Sequence, residues 1–413
     1  VLQGNFANYA KGDVWVKVLG ELLGEGIFAV DGDRWRTHRK LMSNMFSRNL
    51  LRHSATVTRN KLFDILDLFE RRIAEAGSPE NGFNVDLQDM FFRLTFDITT
   101  IVTFGIDLES IQSEEQHRFT RAFDELSYLC QKRFLDPLFQ IKTLFRLTWR
   151  ERRIRALKGI VDEFAFEVIA RKRRSAYEGD QEDLLSRFID HGIKTGEETS
   201  NSELRDVVMN VMVAGRDTTA CALSWMFFEL SRHPNVVQKV AEEVERICGK
   251  GDCAEYTYDT MAKLQYTHCV AMEVLRLHPP VPLDPRFVIK NDVLPDGTKI
   301  PGGAGITICF HAMGRKDNVW GDDALQFKPE RFFNKTEPSP FKFPMFNAGP
   351  RICLGKPLAL MNMKLAMSIL LTSNFQFEDK GWSFRRILWT LVESMQNGFE
   401  VNITKKDLQQ SSQ

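Results

Sequence analysis

The chain lacks an excess of charge of either sign: 55 Lys and Arg balance 55 Asp and Glu over 413 residues. Nucleic-acid binding normally shows as a basic excess, so this composition gives that function no support. No run approaches the ~18 consecutive apolar residues of a membrane-crossing helix, and no signal peptide is visible. The seven cysteines, at 130, 221, 248, 253, 269, 309 and 353, form no CxxC pair. Cys248 and Cys253 are close, but no His pair nearby completes a zinc site. An odd, scattered set in so long a chain argues against a disulfide framework and for a reducing compartment. Internal repeats and low-complexity linkers are missing too. Aromatic side chains are plentiful: 32 Phe and 7 Trp, in a chain 43% hydrophobic and 27% charged, exclude disorder and describe a large core. Two local basic runs, Arg171 to Arg174 and the arginines at 150, 152, 153 and 155, read as solvated helix faces, with a membrane-surface contact as the sharper alternative. The chain opens on Val1 inside a polar stretch, so a preceding segment is expected.

Hydrophobic periodicity predicts a mainly α protein. The longest pattern, 202–233, has an Asn/Ser start and Glu203 in its first turn, and stops before His233-Pro234. Its roughly 45 Å would cross a whole domain through the core. Shorter helices are predicted at 35–76, 86–103, 115–133, 153–176, 181–191, 236–248, 264–277 and 355–372. Between 280 and 352 the texture changes: Val293-Leu-Pro-Asp-Gly-Thr298 and Pro301-Gly-Gly303 are turns between short strands, and 320–352 is an irregular meander. One large α domain with a small β part, spanning 1–413, accounts for the pattern.

The densest chemical signal is Phe346-Asn-Ala-Gly349-Pro-Arg351-Ile-Cys353-Leu-Gly355. The Cys precedes a helix that begins near Gly355 and follows an Arg by two residues. Helix dipole, backbone N–H groups and cationic charge there favour a thiolate. Two glycines leave room for a flat ligand beside the backbone, and Phe346 can cover the sulfur. A buried Cys in a glycine turn is the ordinary alternative. Five fixed positions make it improbable, since a chance match to FxxGxRxCxG is on the order of one in ten thousand. The long helix carries Ala214-Gly215-Arg216-Asp217-Thr218-Thr219. A hydroxyl at Thr218 can bond the carbonyl of Ala214 and locally open the helix.

In these residues the sequence resembles the cytochrome P450 family of heme-thiolate monooxygenases. The resemblance implies the fold of that family, heme b (iron protoporphyrin IX) with Cys353 as its axial ligand, and O₂ as co-substrate. A thiolate ligand pushes electron density to the iron and favours O–O cleavage. By the same resemblance Ala214 and Gly215 border the oxygen site, Thr218 is the hydroxyl that donates toward it, and Asp217 is the acidic neighbour in a proton relay. Phe346 and Gly355 flank the ligand. Glu273-Val-Leu-Arg276, by itself an everyday i, i+3 pair, becomes the ExxR element, with Arg331 of Pro329-Glu-Arg-Phe332 as its third member. Trp35 and Arg39, in WxxxR spacing, with Arg286 and Arg351, are then the candidates to hold the heme propionates.

A finer resemblance, to the plant and fungal fatty-acid ω-hydroxylase branch, rests on several stretches. They are Asn8-Tyr-Ala-Lys-Gly12, Leu23-Gly-Glu-Gly-Ile-Phe28, Gly215-Arg-Asp, 293–298, Gly314-Arg315 with Val319-Trp-Gly321, and Phe341-Lys-Phe with Phe346-Asn-Ala-Gly-Pro350. Arg286-Phe287 and the stretch 111–180, where this fold forms the lid of its substrate channel, depart from that branch. Ile27, Phe28, Val213, Val281, Leu283, Leu391 and Val392 would line an apolar tunnel, and each is equally suited to an ordinary core. The resemblance further implies electrons from a separate NADPH–cytochrome P450 reductase, because no GxGxxG follows a strand in these residues. It also implies a monomer tethered to the endoplasmic reticulum membrane through a missing N-terminal anchor, with its catalytic domain facing the cytosol. A lipophilic substrate of another kind (alkane, sterol or xenobiotic) and a non-catalytic heme-binding fragment remain the alternatives.

Overall fold

The computed structural model describes residues 1–43, 46–77, 82–145, 147–175, 183–196, 199–249, 255–381 and 385–406. Cys253 lies outside them. Helices dominate, and their ends are written in the sequence. The first, α1 (Asp13–Leu23), was not anticipated; glycines at positive φ bound it, Gly12 at 73° and Gly24 at 55°. The single helix expected over 35–76 is two, α2 (Gly32–Ser43) and α3 (Arg48–Glu75). Ser47 restarts the chain there, its hydroxyl accepting from the Leu50 N–H as an N-cap. Asp86 likewise caps α4 (Leu87–Phe104), which stops on left-handed Gly105. Then come α5 (Arg118–Gln131), the short α6 (Phe139–Phe145), α7 (Trp149–Ser175) and α8 (Leu184–Thr195).

The predicted long helix is present, in three parts. A capping box of Ser200 and Glu203 starts α9 (Asn201–Met212); Val213–Asp217 widen into a π turn; α10 (Thr218–Arg232) continues to His233. Next are α11 (Pro234–Cys248), α12 (Tyr258–Met261), α13 (Tyr266–Leu277), α14 (Phe310–Met313), α15 (Asp317–Trp320) and α16 (Lys356–Thr372). No described helix is long and apolar enough to cross a membrane.

The β part is small and antiparallel. Strand β1 (Tyr9–Ala10) joins β3 (Leu283–Val288) and β6 (Gly305–Cys309), while β2 (Phe83–Asp86) joins β10 (Glu400–Lys405) and β7 (Phe375–Asp379). Two hairpins complete it: β4 (Asp292–Val293) with β5 (Lys299–Ile300), and β8 (Ile387–Trp389) with β9 (Glu393–Met395).

Two apolar cores result. One gathers α3, α4, α10, α11, α13 and α16; the other gathers α1, α5, α7, α8 and α9. The long helix belongs to both, its residues up to Val213 in the second core and those from Ala220 in the first. The π turn therefore sits at the junction, where polar Arg216 and Asp217 interrupt the apolar sequence.

Candidate functional site

Residues 344–356 form a tightly held loop. A 3-10 turn at Pro344–Phe346 leads to Asn347 at φ 60°, a second turn covers Gly349–Arg351, and the Cys353 N–H donates to the Phe346 carbonyl at 2.7 Å. Gly349 is required at φ 67°, and a Cβ there would also meet the Leu2 carbonyl oxygen at 1.9 Å. Its missing side chain thus makes room for the chain's own N-terminal segment. Gly355 caps α16, and its Cβ position lies 3.7 Å from Sγ of Cys353, an ordinary contact distance.

Cys353 differs from the other described cysteines. Cys130, Cys221, Cys248 and Cys269 are buried and Cys309 is half-buried, while Cys353 presents surface to solvent. Burial pushes the thiols of Cys130 and Cys269 up to about 12 and about 11, which leaves them inert. Around Cys353, burial is again the largest influence. It outweighs the Gly355 and Lys356 N–H groups and the charges of Arg39 and Lys356, so the thiol lies above its ordinary value. The expected N–H groups and cationic charge do pull toward the thiolate, but desolvation outweighs them. A coordinating metal must displace the proton. The thiol is thus densely surrounded by protein yet reached by solvent.

The helix opens as its sequence suggested. Thr218 Oγ1 donates to the Ala214 carbonyl at 2.7 Å across the π turn. Thr95 on α4 donates to the Arg216 carbonyl at 2.9 Å, holding an oxygen that the widened turn exposes. Ala214 is exposed although Val213 before it is buried, so the opened turn also borders open space. Gly215 points elsewhere: its Cβ position lies 2.8 Å from Thr99 Oγ1, a reason of helix packing. Arg216 is fully buried over the ring of Phe92, donates to both Asp124 oxygens at 2.6 and 3.0 Å, and pairs with Asp217 at 2.7 Å. Burial pushes the Asp217 carboxyl from 3.8 up to about 7, with the Asp124 charge adding to the rise and Arg216 opposing it. A cleft of about 260 Å³, lined among others by Asp124, Asp217, Thr390 and Val392, reaches the residue that bears this buried carboxyl.

The four residues predicted to hold anionic groups lie near the Cys loop. Arg39 donates to the Ile352 carbonyl at 2.5 Å. The Arg351 guanidinium stacks 4.7 Å over the ring of buried Trp35, and pairs with Asp31 at 2.7 Å. Arg286, 1% exposed, donates from Nη2 to Asp284 at 2.7 Å and leaves Nη1 buried without a partner among the described residues. Lys11, unassigned from sequence, is buried there too: Nζ binds Asp284 at 2.7 Å and lies 4.3 Å over Trp15, and burial lowers it to about 8. Its only signal was its place in Asn8-Tyr-Ala-Lys-Gly12. Asp284 also accepts from Asn347 at 3.1 Å, so one carboxylate ties the strand to the Cys loop. This donor set fits a planar metal-bearing group with anionic arms: a thiol with two N–H donors, stacked and buried guanidinium groups, and one N–H without a partner.

Behind the loop, Glu273 and Arg276 form a bidentate pair at 2.7 Å, both fully buried, and Arg331 approaches Glu273 at 3.4 Å. Arg276 also donates to the Gly314, Ala324 and Gln326 carbonyls, which fastens the meander to α13. Of the predicted apolar residues, Val213 belongs to the second core, and Phe28 and Leu391 pack against it. Ile27 is partly buried and Val392 buried, whereas Val281 and Leu283 are 38% and 42% exposed.

A family profile described as cytochrome P450 matches residues 3–394. The chain is 35% identical over 433 residues to cytochrome P450 CYP94D109 of Paris polyphylla, covering 100% of this chain and 84% of that one. It is 35% identical over 419 residues to cytochrome P450 704B1 of Arabidopsis thaliana (90% and 78%). Identity to cytochrome P450 94C1 of the same plant is 37% over 385 residues (90% and 75%).

Proposed function

The chain belongs to the cytochrome P450 family of monooxygenases, and from that premise we propose that it hydroxylates a fatty-acyl or similar long-chain aliphatic substrate at or near its ω carbon. The observation that carries the proposal is that Val213, the first residue of the opened turn, belongs to the apolar core against which Phe28 and Leu391, from two distant parts of the chain, also pack. Together with Ile27, Val281, Leu283 and Val392 they would form an apolar tunnel that restricts which carbon reaches the reacting centre. The stretches shared with the fatty-acid ω-hydroxylase branch support the same substrate class.

In this reading residues 1–413 are one catalytic domain. Heme b bound at Cys353 supplies oxygen activation and insertion of one atom of O₂ into a C–H bond. Cys353 Sγ would hold the iron, with Phe346 and Gly355 beside it. Trp35, Arg39, Arg286 and Arg351 would orient the propionates, the unpartnered Arg286 Nη1 taking one of them. Thr218 Oγ1 would turn from the Ala214 carbonyl to hand on a proton that Asp217 receives from the neighbouring cleft. Glu273, Arg276 and Arg331 would assemble the pocket without touching substrate.

Electrons would come from a separate NADPH–cytochrome P450 reductase. The membrane, placed at the cytosolic face of the endoplasmic reticulum, is supported by one surface. Phe134, Leu135, Leu138, Ile141, Leu144, Phe145, Leu147 and Trp149 are each 41% to 81% exposed around α6. Substrate-induced spin-shift titration with fatty acids, alkanes and sterols tests the substrate. The expected result is a shift with long-chain acids and hydroxylation at the chain end; a response to sterols or phenolics alone would overturn it.

A further inference from the structure

Glu393 opens β9, immediately after Leu391 and Val392, and its side chain is fully buried. Neither carboxylate oxygen carries a hydrogen bond among the described residues; the charge contact is His311 Nδ1, 2.5 Å from Oε1. A buried carboxylate with so little solvation is costly, and removing its partner costs more. Its backbone is held on both sides: the Glu393 N–H donates to the Pro280 carbonyl at 2.9 Å, and its carbonyl accepts from Trp225 Nε1 at 2.9 Å. Trp225 lies on α10, two turns after Thr218. His311, on α14, donates its own N–H to the Pro282 carbonyl at 3.3 Å, beside Phe310 doing the same at 2.8 Å. The segment 280–282 is therefore gripped from two sides, by Glu393 at Pro280 and by α14 at Pro282, and the imidazole–carboxylate contact closes the ring. Val281 sits inside that ring and Leu283 follows it; Leu391 and Val392 hang from its other end.

We infer that Glu393 and His311 are positioning residues that set the spacing between the 281–283 and 391–392 walls, and through it the carbon of an alkyl chain that is oxidised. The inference rests on the proposal that these four apolar residues line the tunnel. A polar clasp suits this place because apolar contact alone does not fix a register, whereas a close imidazole–carboxylate contact holds two segments at one spacing. Half of the clasp, His311, is only partly buried, so its replacement spares the core.

The test compares Glu393→Gln, His311→Gln, their double variant and Val392→Phe, each loaded with heme and checked by its ferrous–carbonyl spectrum and thermal unfolding. Readouts are the spin-shift Kd and the positions of hydroxylation for a series of saturated fatty acids. Each single clasp variant should weaken binding by about threefold or more and spread the products over neighbouring carbons, with the carbonyl spectrum unchanged. The double variant should be no worse than the worse single one, as expected for two groups acting as a unit. Wild-type products from both single variants, with products shifted by Val392→Phe, would overturn the clasp and leave the tunnel standing. Unaltered binding and products from Val392→Phe would remove the tunnel and the inference with it. Additive effects of the two clasp substitutions would overturn the pairing. If Glu393→Gln fails to fold, His311→Gln decides alone by the same readouts.

Discussion

Asp217 shows how a single residue is set by what encloses it. In sequence it is a carboxylate in an Asp-Thr-Thr run, which usually faces solvent. In the structure its carboxyl is buried and raised from 3.8 to about 7. A carboxyl raised on folding binds its proton more tightly in the folded chain, so the stability it contributes is complete below its unfolded value. That stability is lost as pH climbs through about 7. Thermal unfolding of Asp217→Asn against wild type should therefore show the variant gaining relative stability between pH 4 and pH 8, most of it before about 7. A flat difference across that range would mean that the carboxyl is not held protonated. Glu273 makes the opposite point. Its pairing with Arg276 was legible three residues apart, and both are completely buried. Glu273→Gln leaves the Arg276 guanidinium without its counter-charge and should cost about 3–5 kcal/mol, read as a lowered urea midpoint together with poor heme incorporation.

At the scale of elements, the opened helix and the Cys loop behave differently under substitution. The π turn depends on a local bond, Thr218 to Ala214, and on one remote donor, Thr95. Thr218→Ala should retain the fold and divert reducing equivalents, so that NADPH consumption rises against product and hydrogen peroxide accumulates. Unchanged product per NADPH would remove Thr218 from proton delivery. The Cys loop depends on backbone conformation. Gly349→Ala places a Cβ at φ 67° against the Leu2 carbonyl, and should cost about 1–3 kcal/mol in a urea titration while loosening the first residues of the chain. The helix boundary between α2 and α3 was missed because Ser47 reads as one more polar residue in an amphipathic pattern until its hydroxyl is seen capping Leu50. The glycine-bounded α1 was missed for a similar reason, its eleven residues lying beneath the length at which periodicity is decisive.

For the whole molecule, the exposed apolar surface around α6 is the feature that composition concealed. Eight exposed large apolar side chains fall between residues 134 and 149 on a chain whose net charge is zero. If they meet lipid, the protein should float with phosphatidylcholine vesicles, and Leu144→Glu with Trp149→Glu should release it while leaving the carbonyl spectrum intact. Retention of binding by that double variant would assign the membrane contact to another surface.

The sequence by itself determined the chemistry, because that chemistry is local. A thiol before a helix start, a hydroxyl four residues from a carbonyl and a carboxylate three residues from a guanidinium are all fixed by spacing along the chain. Tertiary structure alone decided which polar side chains answer each other across tens to hundreds of residues. Lys11 and Asn347 converge on Asp284, Arg216 on Asp124, and His311 on Glu393. It also decided the sign of the Cys353 shift, where enclosure outweighs the helix start. Desolvation and long-range pairing depend on what the fold brings around a group, and spacing along the chain carries no record of either.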